Sequence, residues 1–198
     1  MGNILEIEDS MLTKMKENDY LYNNTIYLDT EIDRGSQVKF IRQLTKLSEQ
    51  ELEKDENDRK PIKIKISSYG GSVLSVFAMI SYMEYYKEKG IVIETYNDGF
   101  SMSGGSKILM CGTKGKRYST RYGNVLIHQT QLGGMSGTQT EIKSELENIE
   151  RNWDTIKEIF RKNTNLTEED IEGFTKYNLD VTYTPQECLE KGIIDNII

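Results

Sequence analysis

Pro61-Ile62-Lys63-Ile64-Lys65-Ile66-Ser67-Ser68-Tyr69-Gly70-Gly71-Ser72 is the stretch on which the fold turns. Ile62, Ile64 and Ile66 alternate with Lys63 and Lys65, and that period of two buries one face of a strand. Pro61 opens the strand and Gly70-Gly71 breaks it. The apolar-rich run from Ser72 to Tyr86 reads as a long helix, and Ile91 to Tyr96 as the next strand. A strand, a glycine turn, a helix and a second strand make an α/β unit.

The pattern extends in both directions. Thr25-Ile26-Tyr27-Leu28 reads as a first strand, and Val38, Ile41, Leu44 and Leu47 have helical spacing. Glu49 to Lys60 is charged, with Leu52 its only apolar residue, and is expected to be a solvated helix end and loop. Ser103 to Cys111 is a short helix candidate and Asn124 to His128 another strand. The longest helix is expected from about Thr140 to Arg161. Its apolar residues Ile142, Leu146, Ile149, Trp153, Ile156 and Phe160 form one stripe, and Thr138-x-x-Glu141 can cap it. Thr184-Pro185-Gln186-Glu187 is a second capping box, for a helix that Gly192 ends. Gly192 to Ile198 reads as a last short strand. Residues 1–20 are polar and mixed in charge and are set apart as an N-terminal arm. Residues 21–198 make one domain without internal repeats.

Composition narrows the function. The chain of 198 residues has a net charge of -7, which disfavours nucleic acid and anionic membrane surfaces as partners. No apolar run approaches the roughly 20 residues that span a bilayer. Met1-Gly2-Asn3-Ile4-Leu5-Glu6 lacks the basic and apolar regions of a signal peptide, and Glu6 does not fit the myristoylation pattern. The two cysteines, Cys111 and Cys188, are far apart and read as reduced thiols of a cytoplasmic protein. One histidine and two distant cysteines make no zinc site, so no cofactor is expected.

The chemistry lies between Gly99 and His128. Gly99-Phe100-Ser101-Met102-Ser103-Gly104-Gly105 crowds a serine with small residues, as a nucleophile at a strand-to-helix turn requires. His128 is the single histidine and closes the apolar run Val125-Leu126-Ile127. Imidazole is the side chain best suited to take a serine's proton near neutral pH. Each feature also has a plain reading: Ser103 as a helix cap, His128 as a strand-end residue. Gly70-Gly71, between strand and helix, is either an oxyanion-hole loop or a turn. A carboxylate should orient the imidazole. Asp154, Asp170, Asp180 and Asp195 are downstream candidates. Asp180 in Asn178-Leu179-Asp180-Val181 is the best placed, because that stretch is semi-apolar and outside the expected helices.

Gly70-Gly71-Ser72-Val73, Gly99 to Gly105, Gly112-Thr113-Lys114-Gly115-Lys116-Arg117, Ile127-His128-Gln129 and Leu132-Gly133-Gly134 together resemble the ClpP family of serine peptidases. The likeness runs in order from about residue 22 to residue 198. It implies Ser103 as nucleophile, His128 as base and Asp180 as orienting acid. It implies the amides of Gly71 and Gly104 as the oxyanion hole, and a substrate-pairing segment that includes Gln131, Leu132, Gly133 and Gly134. The implied fold is a ClpP/crotonase-like spiral of ββα units with a projecting helical handle. The implied protein is a homo-oligomer, a tetradecamer of two stacked heptameric rings. It would hydrolyse polypeptide substrates inside its chamber, with a Clp-type ATPase as partner. The chain departs from the family at Tyr69, Gly104 and Thr130, which stand where proline, methionine and proline are usual. Taking Ser101-Met102 as the nucleophile pair would restore the methionine but require two extra residues before Gly112. A phage-type capsid maturation protease and a non-catalytic ring subunit are the alternatives. An α/β-hydrolase is disfavoured by the order Ser, His, Asp.

Overall fold

The computed structural model describes residues 22–130, 136–176 and 180–198. The first α/β unit follows the expected order. Strand β1 (Thr25–Leu28) leads to helix α1 (Arg34–Leu52), and β2 (Ile62–Ser68) leads to α2 (Val73–Glu88). Asp33 caps α1 and Ser72 caps α2, each accepting from a backbone N–H three residues on. Strand β3 (Ile93–Met102) is longer than the expected Ile91 to Tyr96 and runs up to Ser103. Helix α3 (Gly104–Met110), strands β4 (Arg117–Ser119) and β5 (Asn124–Ile127), and the long helix α4 (Gln139–Asn163) follow. Helix α5 (Glu168–Lys176), strand β6 (Val181–Tyr183), helix α6 (Pro185–Glu190) and strand β7 (Asn196–Ile197) complete the chain.

The seven strands form one mixed sheet in the order β1-β2-β3-β4-β7, with β5 on β3 and β6 on β5. All pairings are parallel except β5 with β6. Strand β3 is the branch point. Thr95 to Asn97 pair with β4, while Phe100 to Met102 pair with β5. This forking explains the extra length of β3, because Phe100 to Met102 gain a partner that no local pattern announces. Ile62, Ile64 and Ile66 are fully buried, as their alternation requires, and pack with Leu44 of α1 and Met79 and Met83 of α2.

Three expectations need correction. Glu51, placed in a solvated run, is 2% exposed and accepts from Asn24 Nδ2 at 2.6 Å, Lys54 Nζ at 2.7 Å and the Lys60 amide at 2.7 Å. Burial raises its pKa, but these donors override burial and leave it below the usual carboxylate value. The tail strand shrinks to Asn196–Ile197, because Gly192 turns at φ +64 and Asp195 is engaged elsewhere. The apolar stripe of α4 divides. Trp153, Ile156 and Phe160 are buried against the domain, Ile142 and Ile149 are half-buried, and Leu146 is exposed. Among the described residues, the C-terminal half of α4 is the part that packs on the core.

Candidate active site

Ser103 lies between the end of β3 and the start of α3. Its backbone has φ 50 and ψ -114, a conformation that a side chain makes costly. Four contacts hold it there. The Ser103 amide donates to Leu126 O of β5 at 2.9 Å. The Ser103 carbonyl accepts from Ser106 Oγ at 2.6 Å and from Lys107 Nζ at 3.1 Å. Gly70 packs against the turn itself: a Cβ there would stand 2.7 Å from Ser103 Cβ and 2.6 Å from the Gly104 nitrogen. Only glycine tolerates that approach. Ser101, the other serine weighed as nucleophile, is fully buried in β3 and donates to Asn97 Oδ1 at 3.1 Å. It does not line the cleft.

Gly71 forms an isolated parallel bridge with Ile32. The bridge uses Gly70 O, which accepts from the Ile32 amide at 2.7 Å, and the Ser72 amide, which donates to Ile32 O at 2.7 Å. Successive peptide groups of an extended chain point to opposite sides, so the Gly71 N–H faces away from Ile32. The Gly104 N–H begins α3 and has no residue one turn earlier in the helix to bond. Both glycines line one cleft with Ser103 and His128, of volume ≈ 650 Å³. Val76, Lys107, Ile149, Asn152 and Ile156 are among its other walls.

His128 follows β5 directly, and Asp180 directly precedes β6. These strands are antiparallel with Ile127 opposite Val181. One step further along that register sets His128 across from Asp180. Asp180 is exposed, and the Nδ1 of His128 is buried with no hydrogen-bond partner among the described residues. The strands thus bring Asp180 and His128 face to face without joining them. The imidazole is held below its usual pKa. Desolvation is the main cause, followed by the positive charge of Lys107, while Asp180 and a hydrogen bond with the Gln129 backbone act the other way. A histidine kept neutral is prepared to accept a proton.

The other candidates lie apart from this cleft. Asp154 pairs with Lys157, Asp170 with Lys191 and Asp195 with Arg117. Gln131, Leu132, Gly133 and Gly134 lie outside the described residues, as does the 1–20 arm. Both cysteines are buried, and burial pushes each thiol up to about 12, so neither is nucleophilic at neutral pH. Among the described residues no cluster of His, Cys, Asp or Glu could hold a metal ion, and no helix is long and apolar enough to cross a membrane. The sequence reading passed over Lys107, which lines the cleft although it is 3% exposed. Its signal was a lysine inside the otherwise small and apolar run Gly104 to Cys111.

Comparison with known proteins matches residues 10–198 to the Clp protease family model. The chain is 31% identical over 195 residues to the ATP-dependent Clp protease proteolytic subunit 2 of Mycolicibacterium paratuberculosis, covering 98% of this chain and 89% of that protein.

Proposed function

The chain belongs to the Clp protease family, and on that premise we propose that it is a serine endopeptidase acting through Ser103, His128 and Asp180. The observation that carries the proposal is the strained turn at Ser103, set in one cleft with the lone histidine and the Gly71 and Gly104 amides. His128 takes the proton of Ser103 Oγ as that oxygen attacks the peptide carbonyl. The two amides receive the charge that develops on the carbonyl oxygen. His128 then gives its proton to the leaving amine, and water releases the acyl group by the same route in reverse. Asp180 stabilises the imidazolium that forms. Gln131 to Gly134 offer their backbone to the substrate as an added strand.

The finer architecture belongs to the same proposal. The sheet units form a ClpP/crotonase-like spiral, and α4 is its handle. The handle's uncovered half, with Leu146 47% exposed, packs against the same helix of another subunit in stacked heptameric rings. Substrates enter that chamber with a Clp-type ATPase as partner, in the cytoplasm.

One experiment tests the reading. The protein is treated with a fluorophosphonate, the labelled serine is mapped, and the same sample is sedimented. Labelling confined to Ser103 and lost in Ser103→Ala, on a species far heavier than 22.8 kDa, is expected. No labelling at any serine would overturn the enzymatic reading in favour of a non-catalytic ring subunit. A labelled monomer would overturn the chamber.

A further inference from the structure

We infer that Lys107 makes the wall of the cleft beside Ser103 a receptor for an acidic side chain, so that the protein prefers peptides with Glu or Asp on the acyl side of the cleaved bond. The inference rests on the proteolytic reading above and names the substrate class of that same site.

Among the described residues Lys107 is a buried cation without an anion. It is 3% exposed and its ammonium makes one hydrogen bond among the described residues, to Ser103 O at 3.1 Å. An ammonium has three donors. No carboxylate among the described residues comes within ion-pair distance of it, and its nearest aromatic ring, Phe160, has its centroid 5.8 Å from Nζ. Lysine is almost never fully buried unless paired. Burial alone pushes its pKa down to about 8, so the group is still mostly charged near neutral pH.

The position of that charge points to a substrate group. Ser103 must attack a carbonyl held at the Gly71 and Gly104 amides. The side chain of the residue that owns that carbonyl branches one atom away, beside Ser103 and Gly104. The cleft walls there include Val76, Ile156 and Lys107. Val76 and Ile156 suit the methylenes of an acidic side chain, and the two spare Lys107 donors suit its carboxylate in charge-assisted hydrogen bonds. Glu31 and Glu145 also border the cleft, but both are exposed, where water and salt screen them. The buried charge therefore dominates the choice.

The test uses three quenched peptides that differ at one residue on the acyl side of the cleaved bond: Glu, its neutral isostere Gln, and Leu. The wild-type protein should cleave the Glu peptide with kcat/KM at least about tenfold above the Gln peptide. Lys107→Met, which conserves most of the volume, should bring that ratio to about 1 and favour Leu. The readout is a ratio within one protein, so a change in overall activity cancels. A wild-type Glu/Gln ratio at or below 1 overturns the inference without any variant, as does an unchanged ratio in Lys107→Met. If a fluorophosphonate still labels Ser103, the proteolytic reading survives that loss. If Ser103 is unlabelled and none of the peptides is cleaved, both fall together.

Discussion

Arg117 and Lys107 are both withdrawn from solvent, at 2% and 3% exposure, yet their surroundings differ at every contact. Arg117 donates through Nε and Nη2 to the two oxygens of Asp195, at 2.8 and 2.6 Å, in the two-pronged geometry that guanidinium and carboxylate share. Its Nη1 donates to Met110 O and to Asn163 O. One side chain thereby ties β4 to the tail, to the end of α3 and to the end of α4. Asp195 also accepts from the amides of Gly115 and Arg117. Burial raises the Asp195 pKa, but Arg117 and these amides outweigh it and hold the carboxyl below 3.8. Among the described residues Lys107 has one carbonyl and no anion. A buried charge that is fully met holds the fold together. A buried charge that is left unmet, beside a strained serine, costs the fold and is kept for something else.

The largest effect that bears on this contrast is on the paired side. Arg117→Met leaves Asp195 with two amides and strands the Met110 and Asn163 carbonyls. It should lower stability by about 3–5 kcal/mol, read by urea denaturation at pH 7. The wild type should carry an acid-side dependence that the variant loses. Asp195 has a folded pKa below its unfolded one, so its stabilisation is complete above about pH 4 and disappears as pH falls through the folded value. A variant within about 1 kcal/mol of wild type would mean that the pair is not structural.

Lys107→Met should act in the opposite direction. The Lys107 pKa falls from 10.5 to about 8 on burial, so the charged form is disfavoured in the folded state. Its penalty is absent above pH 10.5, grows as pH falls, and is complete below about 8. The titratable groups that share the cleft with it are His128, just after β5, and Glu31 and Glu145 at the rim, with Asp180 acting on His128 from before β6. At pH 7 removal of the charge should return about 3 kcal/mol, less about 1 kcal/mol for the lost bond to Ser103 O. The variant should therefore melt several degrees higher at pH 7 and lose that advantage by pH 10. A lower melting temperature at pH 7 would place Lys107 beside Arg117 as a structural cation.

The same contrast separates what the sequence made legible from what it did not. Ile62, Ile64 and Ile66 and the boxes at Thr138 and Thr184 are local patterns, and the strand and both helix starts stand where they were expected. Strands β4 and β6 span three residues each, too few for any period to register, and they exist because β3 and β5 offer edges to pair with. Ser103, His128 and the paired glycines could be singled out because serine, histidine and glycine carry chemistry by type. Lys107 could not, because its meaning lies in the absence of a partner, and absence is visible only in three dimensions. Glu51 failed the sequence reading for the converse reason: a charged run hid one residue whose partners, Asn24 and Lys60, come from outside its own helix.

The smallest expected effect probes how far each charge reaches. His128 is lowered from 6.5 first by desolvation and then by Lys107, with Asp180 and a hydrogen bond with the Gln129 backbone opposing; Arg117 is not among the causes. Protonation removes the base, so kcat/KM should fall as pH drops through a midpoint below 6.5. Lys107→Met removes a repelling charge and should move that midpoint upward, recovering only part of the shift because desolvation, the larger cause, remains. Arg117→Met should leave it in place even though it disturbs the fold more. Equal midpoints in the two variants would mean that the imidazole does not sense the cleft cation, and that the special placement of Lys107 near the nucleophile has no electrical consequence for the base. Different midpoints, with the more stable variant showing the larger shift, would separate the charge that builds the molecule from the charge that tunes its site.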